Sequence, residues 1–232
     1  MADVTHFDSW IQYISEVVDL GTATVPNASQ YRFVLTNGLT ITRTMNKAQL
    51  ASAELLPVNG YSRQPWAPGS GVWDATQLRW ELASVTANIT ATGAPIQWSS
   101  MLLWANSPTN TAALTMGAID TATDRITITG HGQSNATEVA VTTTGTLPGG
   151  ITADTLYYLS SISTNTIELY SNVGLTTKVD ITSAGSGTHT LRLCGGRPRC
   201  FVNFASQIIG DGATQPLRFD IGHASGGNSN GI

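Results

Sequence analysis

Asp124-Arg-Ile-Thr-Ile-Thr-Gly-His-Gly132 decides how the middle of this chain is read: a short β-rich stretch that stops on glycines. Further short strands follow at a spacing of roughly ten residues, the mark of a small sandwich or barrel. Strands are expected at Arg125–Thr129, Glu138–Thr143, Leu156–Ser160, Thr166–Tyr170, Lys178–Ile181 and Thr188–Leu193. Between them lie Gly130-His-Gly132, Leu147-Pro-Gly-Gly150, Ser163-Thr-Asn165 and Ala184-Gly-Ser-Gly187, residues that accept positive φ or fix a bend.

Outward from this run the composition changes. All 6 tryptophans (Trp10, Trp66, Trp73, Trp80, Trp98, Trp104) and all 5 phenylalanines (Phe7, Phe33, Phe201, Phe204, Phe219) fall outside residues 105–200. Two cores are being built from different side chains. The expectation is a host domain, 1–112 plus 194–232, interrupted by an inserted module at 115–193. Phe7, Trp10, Ile11, Ile14, Val17 and Val18 follow helical spacing behind a Thr5 cap, which predicts an N-terminal helix ending near Gly21. Beyond it the host reads as strands. Tyr31–Thr36 runs into Asn37-Gly38, and Leu78–Ile89 shifts parity at Ala83-Ser84, which predicts a bulge. Pro95–Trp104, Phe201–Ile209 and Leu217–Ile221 supply further strands, with Met101-Leu-Leu-Trp104 buried on both faces. Residues 46–55 form a short helix capped by Asn46. The fold class is therefore mainly β. The host is jelly-roll-like or a β-sandwich with an N-terminal helix, and the insert is a small Ig-like or β-sandwich module.

Four motifs in order, Asp124–Gly132, Thr144-Gly-Thr-Leu-Pro-Gly-Gly150 through Tyr158, Ser163–Leu169 and Val179-Asp-Ile-Thr-Ser-Ala-Gly-Ser-Gly187 through Leu191, strongly resemble a small β module. That module recurs in virion proteins of tailed bacteriophages, tail and fibre proteins included. More weakly, Phe7–Leu20, Leu20-Gly21, Val34-Leu-Thr-Asn-Gly38 and the aromatic strands Leu78–Leu82 and Gln97–Trp104 are similar to short phage structural proteins. The resemblance implies a virion component without fixing its place on the particle.

Composition narrows the function. Charged residues make up 11% of the chain, against about 25% in a typical soluble domain. The only lysines are Lys47 and Lys178, and the net charge is −4. A nucleic-acid partner needs a basic footprint that is missing, and no apolar run is long enough for a membrane helix. The opening Met-Ala-Asp-Val-Thr-His has no basic or apolar leader segment, which predicts synthesis in the host cytoplasm and delivery in the virion. His6, His131, His189 and His223 show no metal-binding spacing, and no dense Asp-x-Asp-x-Asp loop surrounds Asp120 or Asp124. Neither a nucleophile elbow nor a phosphate-cradling loop is present. Asp211 reads as a turn residue, and the scattered carboxylates give no glycosidase pair. No enzyme activity, metal or cofactor is expected. Cys194 and Cys200 are either two reduced thiols at strand ends or a disulfide formed after release.

What remains is binding. Expected contact residues are Phe7, Trp10 and Ile14 on the N-terminal helix, and Tyr61, Trp66 and Trp73 in the Gly/Pro-rich loop 59–75. Gly226, Asn228 and Asn230 in the tail complete the set. The loop aromatics have three readings: folded onto their own domain, buried in a subunit interface, or stacked on a host-surface glycan. The expected role is a capsid cement or decoration protein, a homo-oligomer with a trimer favoured, bound to the major capsid protein or other virion proteins. The alternative is a tail fibre, receptor-binding adhesin or other tail or adaptor component. The absence of a stalk segment favours the first.

Overall fold

The computed structural model of the chain describes residues 5–6, 31–66, 72–74, 79–81, 85–105 and 113–219. The N-terminal helix expected over Phe7–Val18, the bulge at Ala83-Ser84 and the tail beyond Phe219 lie outside these residues. In chain order the elements begin with β1 (Thr5–His6), β2 (Tyr31–Thr36), α1 (Lys47–Ala53), β3 (Gln64–Trp66), β4 (Val72–Asp74) and β5 (Arg79–Glu81). There follow β6 (Val85–Thr90), β7 (Ile96–Ala105), β8 (Ala113–Thr115), β9 (Ile119–Asp120), β10 (Arg125–Thr127) and β11 (Thr137–Thr143). The last are β12 (Tyr157–Ser163), β13 (Thr166–Tyr170), β14 (His189–Leu193), β15 (Arg197–Ile209) and β16 (Thr214–Phe219). The described chain is mainly β, and its sheets are antiparallel.

The chain divides into two compact units. One holds Met1–Met45, Ala53–Asn110 and Gly196–Ile232; the other holds Asn46–Ser52 and Thr111–Gly195. By its contacts α1 therefore belongs with the inserted strands, although the residues on both sides of it belong to the first unit.

The first unit is built on a five-stranded sheet in the order β1-β15-β7-β2-β3. β7 lies between β15 and β2, and Met101–Ala105 are buried without alternation, as a strand covered on both faces must be. β7 and β15 pair as far as Ile96 and Ile209, and both chains then turn over together. Ala91 N donates to Ala213 O at 3.0 Å and Gly212 N to Ala91 O at 2.9 Å, after which β6 pairs with β16 in a second, two-stranded sheet. Asp211 is a turn residue: its Oδ1 accepts from Gly93 N at 2.8 Å. In β15 the register slips between Asn203 and Gln207, and Asn203 uses its amide in place of the lost ladder. Oδ1 accepts from Ile41 N at 3.0 Å, and Nδ2 donates to Ile41 O at 2.9 Å.

In the second unit seven strands run in the order β8-β14-β11-β12-β13-β10-β9. Its first and last strands are one run of chain. Ala113 pairs with Arg192 and Thr115 with Thr190, Met116 N donates to His189 O at 2.9 Å, and Gly117 N already donates to Thr127 O at 2.7 Å. The sheet thus curls into a small barrel closed by that run of chain, in which β8 is bonded to β14 and β9 to β10. Alternation sends Ile126, Val139, Val141, Tyr157, Leu159, Ile167, Leu169, Leu191 and Leu193 inward, where Ile151, Val179 and Ile181 complete the core. The second unit's core among described residues has Tyr157 as its aromatic, which is the compositional break seen in the sequence. Gly150 is required where it stands. Its φ is +89°, and a Cβ there would lie 1.9 Å from Asp180 O.

Lys178–Ile181, expected as a strand, contributes only a bridge between Tyr170 and Lys178. The reason is local competition: Ile181 N donates to Asp124 Oδ1 at 2.9 Å, so a side chain takes the place of a ladder partner.

Candidate interaction surface

In the first unit the residues following α1 hold a buried polar knot. Arg63 grips Glu54 with two parallel bonds, Nε to Oε1 at 2.8 Å and Nη2 to Oε2 at 2.6 Å, with both side chains sealed from solvent. Tyr61 OH donates to Glu54 Oε1 at 3.0 Å and accepts from Leu35 N at 3.0 Å. Burial, and then the Glu54 charge beside it, pushes the Tyr61 hydroxyl well above its ordinary pKa. The Arg63 guanidinium also lies 5.3 Å from the Trp104 ring centre. This knot ties 54–63 down onto β2 and leaves the intervening Leu56-Pro-Val58 on the outside.

That stretch forms the clearest apolar surface among the described residues of the unit. Leu56 is 50% and Val58 54% exposed, and with Leu55, Pro95, Ile96 and Gln97 they line a shallow groove of about 110 Å3. Ile208, 61% exposed, pairs across the ladder with Gln97 and extends the patch at its rim. No charged side chain lines the groove. The sequence signal was the Leu55-Leu-Pro-Val58 run directly after a helix, which sequence reasoning passed over.

Of the expected contact residues, Tyr61 and Trp66 are buried in their own unit. Trp66 packs edge-on against Tyr31 with ring centres 5.4 Å apart, and Arg199 lies 5.5 Å from the Tyr31 ring centre. Trp73 stands in β4, paired with Trp80 of β5. Phe7, Trp10, Ile14, Gly226, Asn228 and Asn230 lie outside the described residues. The structure thus brings Tyr61 together with the groove from beneath, and Trp66 with the Tyr31 face of the sheet.

The second unit carries a charged cluster on the barrel's outer face. Glu168 accepts from Arg125 Nε at 3.2 Å, Lys178 Nζ at 3.1 Å and Tyr170 OH at 3.0 Å. Burial pushes Glu168 up, but these three donors together outweigh it and hold its pKa below the ordinary 4.5. Lys178 also donates to Thr123 O at 2.6 Å and lies 3.6 Å from Asp124 Oδ2. Asp120 lies low because Thr123 and the Ala122 amide donate to it, as in a closed turn.

His131 and His189 are structural in their contacts. His131 Nδ1 accepts from Gln133 N at 3.0 Å, which leaves Nε2 to donate to Ser163 O at 2.7 Å. His189 Nε2 lies 2.9 Å from Ala184 O. Cys194 and Cys200 are both buried thiols outside any disulfide, and burial raises the Cys200 thiol to about 12. Among the described residues no group of three or more His, Cys, Asp or Glu side chains converges as a metal site would require, and no helix is long and apolar enough to cross a membrane. No protein-family model, curated protein or solved structure matches the chain.

Proposed function

We propose that this chain is a structural component of a bacteriophage particle, a capsid cement or decoration protein that binds the major capsid shell as a homo-oligomer, a trimer by preference, without enzymatic activity. The observation that carries the reading is the likeness of residues 124–191 to a module recurrent in virion proteins. Its support is architectural. That segment has its own core within the second unit, and the unit around it in sequence is a separate β-rich body. On this reading the first unit is a sandwich of jelly-roll type, a view supported by the shared corner at which β7–β15 passes into β6–β16. Attachment rests on the N-terminal segment, the Gly/Asn-rich tail and the uncharged groove at Leu56, Val58 and Ile208, with the groove taking the place of Tyr61 and Trp66. A surface poor in charge gains little from ion pairs, whereas apolar burial contributes about 25 cal/mol per Å2.

The test is the copy number in purified particles combined with salt challenge. Hundreds of copies that stay bound in high salt, and that are lost on Val58→Asp or on removal of 222–232, are the expected result. A dozen copies or fewer would place the protein in the tail or adaptor and reject the cement reading.

A further inference from the structure

We infer that Asn37 is a self-modifying site: in the folded protein the Asn37-Gly38 link converts slowly to aspartate and isoaspartate, while the other Asn-Gly pair among the described residues, Asn59-Gly60, keeps its amide. The reaction needs only water. The Gly38 nitrogen attacks the side-chain carbonyl carbon of Asn37, and the new nitrogen–carbon bond closes a succinimide ring. The bond from that carbon to the side-chain nitrogen breaks, and this nitrogen leaves as ammonia, taking the proton that Gly38 has given up. Water then opens the ring at either carbonyl, which gives aspartate by one route and isoaspartate by the other.

What separates the two pairs is the hold on the peptide group that joins Asn to Gly. That group must swing until its nitrogen faces the side chain of its own Asn. At Asn59-Gly60 it is pinned. With φ of 55° and 83° the pair forms a tight turn closed by Tyr61 N donating to Val58 O at 3.0 Å. The Asn59 carbonyl accepts from Thr92 N at 3.0 Å, and a Cβ on Gly60 would lie 2.2 Å from Thr90 O, so the backbone already rests against its neighbour. At Asn37-Gly38 the anchors stand on either side of the pair instead. Thr36 is buried and pairs with Ser100, and Leu39 O accepts from Ser100 Oγ at 3.2 Å. Between them Asn37 and Gly38 are both exposed, and a Cβ on Gly38 would meet no atom within 4 Å. The Asn37 side chain makes no hydrogen bond among the described residues. The linking peptide is held by Gly38 N donating to Ser99 Oγ at 3.2 Å, an exposed bond that water replaces at little cost. That bond lies in the peptide plane and leaves the face of the nitrogen, where attack occurs, uncovered. Each conversion puts a carboxylate where a neutral amide stood, in a chain whose net charge is −4, and the isoaspartate route also adds a methylene to the main chain between the Thr36 and Leu39 anchors.

The test is peptide mapping by mass spectrometry on the full chain, aged at mildly alkaline pH both folded and in urea. Asn230-Gly231, outside the described residues, is scored on its own peptide. In the folded protein the Asn37 peptide should gain the mass of an amide-to-acid exchange and split into two isomeric peaks, at least about tenfold faster than the Asn59 peptide reacts. In urea the two sites should approach one rate, because both are followed by glycine and the fold no longer distinguishes them. Gly38→Ala should slow the Asn37 reaction by about tenfold or more, since its methyl crowds the attacking nitrogen, with circular dichroism confirming that the variant is folded. On isoelectric focusing Asn37→Asp should migrate with the acidic form that accumulates in aged wild type. Equal rates at Asn37 and Asn59 in the folded protein would overturn the inference. So would an Asn37 that keeps its amide over the time in which the urea-unfolded chain loses it, or a folded Gly38→Ala chain that ages as the wild type does. These outcomes do not depend on the protein's place on a virion.

Discussion

Glu54 and Arg63 are a pair whose worth depends on both being present. Neither side chain reaches solvent, so removing one leaves the other charge buried without its partner. Arg63→Met should cost the first unit about 3–5 kcal/mol, and Arg63→Met with Glu54→Leu should recover most of it; urea unfolding followed by tryptophan fluorescence measures both. Glu168 predicts a pH dependence with a definite sign. Its folded pKa lies below 4.5, so its contribution to stability is complete above that value and is lost as pH falls through the lower folded value. Thermal melting of the second unit should therefore fall in acid, and Glu168→Gln should flatten that limb. Cys200, with its thiol raised to about 12, should resist alkylation at pH 8 until the protein unfolds, whereas labelling of the native protein would contradict its burial. Little of this was legible beforehand. The sequence marks Asp211 as a turn residue and His131 as part of a Gly-His-Gly bend, because their neighbours in the chain determine those roles. It does not show that Glu54 meets Arg63 and Tyr61, nor that Glu168 meets Lys178, because those meetings are set by strand pairing at long range.

Elements were legible where a local period or turn controlled them. β7, β11, β13 and β14 lie within a residue or two of their expected bounds: β11, β13 and β14 carry inward aliphatics between turn residues, and β7 carries an apolar run buried on both faces. Lys178–Ile181 failed as a strand because Asp124 reached its backbone first. Of the aromatics in loop 59–75, Tyr61 and Trp66 follow the first of their three readings and fold onto their own unit, with partners on β2. In β15 the slipped register was invisible, and Asn203 is what makes it tolerable. Its side chain bonds Ile41 N, Ile41 O and Ser100 Oγ, the last at 2.8 Å. Asn203→Ala should destabilise the first unit by about 2–3 kcal/mol, read by the same urea titration. Gly150→Ala forces a Cβ against the Asp180 carbonyl at positive φ, and should cost the second unit more than about 1 kcal/mol in thermal melting while leaving the tryptophan signal of the first intact.

At the scale of the whole chain, the aromatic boundary in the sequence corresponds to two differently built cores, while the membership of α1 could not be read from its position. Residues 46–52 are covalently inside the first unit's stretch, yet their partners Glu138 and Arg192 are in the second. This shapes any excision. Replacing 111–195 by a short Gly-Ser linker should leave a folded, tryptophan-rich first unit with 46–52 newly sensitive to protease, and replacing 46–52 as well should remove that sensitivity. Near-UV circular dichroism and limited proteolysis read both, and a soluble product without tryptophan ellipticity would reject an independent first unit. The ring closure of the second unit has one more consequence. Ala113 and Arg192 face each other across a single rung, so the chain leaves and rejoins its host at neighbouring points, about 5 Å apart. A body whose two ends are adjacent can be spliced into a surface hairpin with little strain on the recipient. Recombination could therefore move such a cassette between unrelated genes while asking nothing of the recipient's fold, and its hosts need share no ancestry with one another.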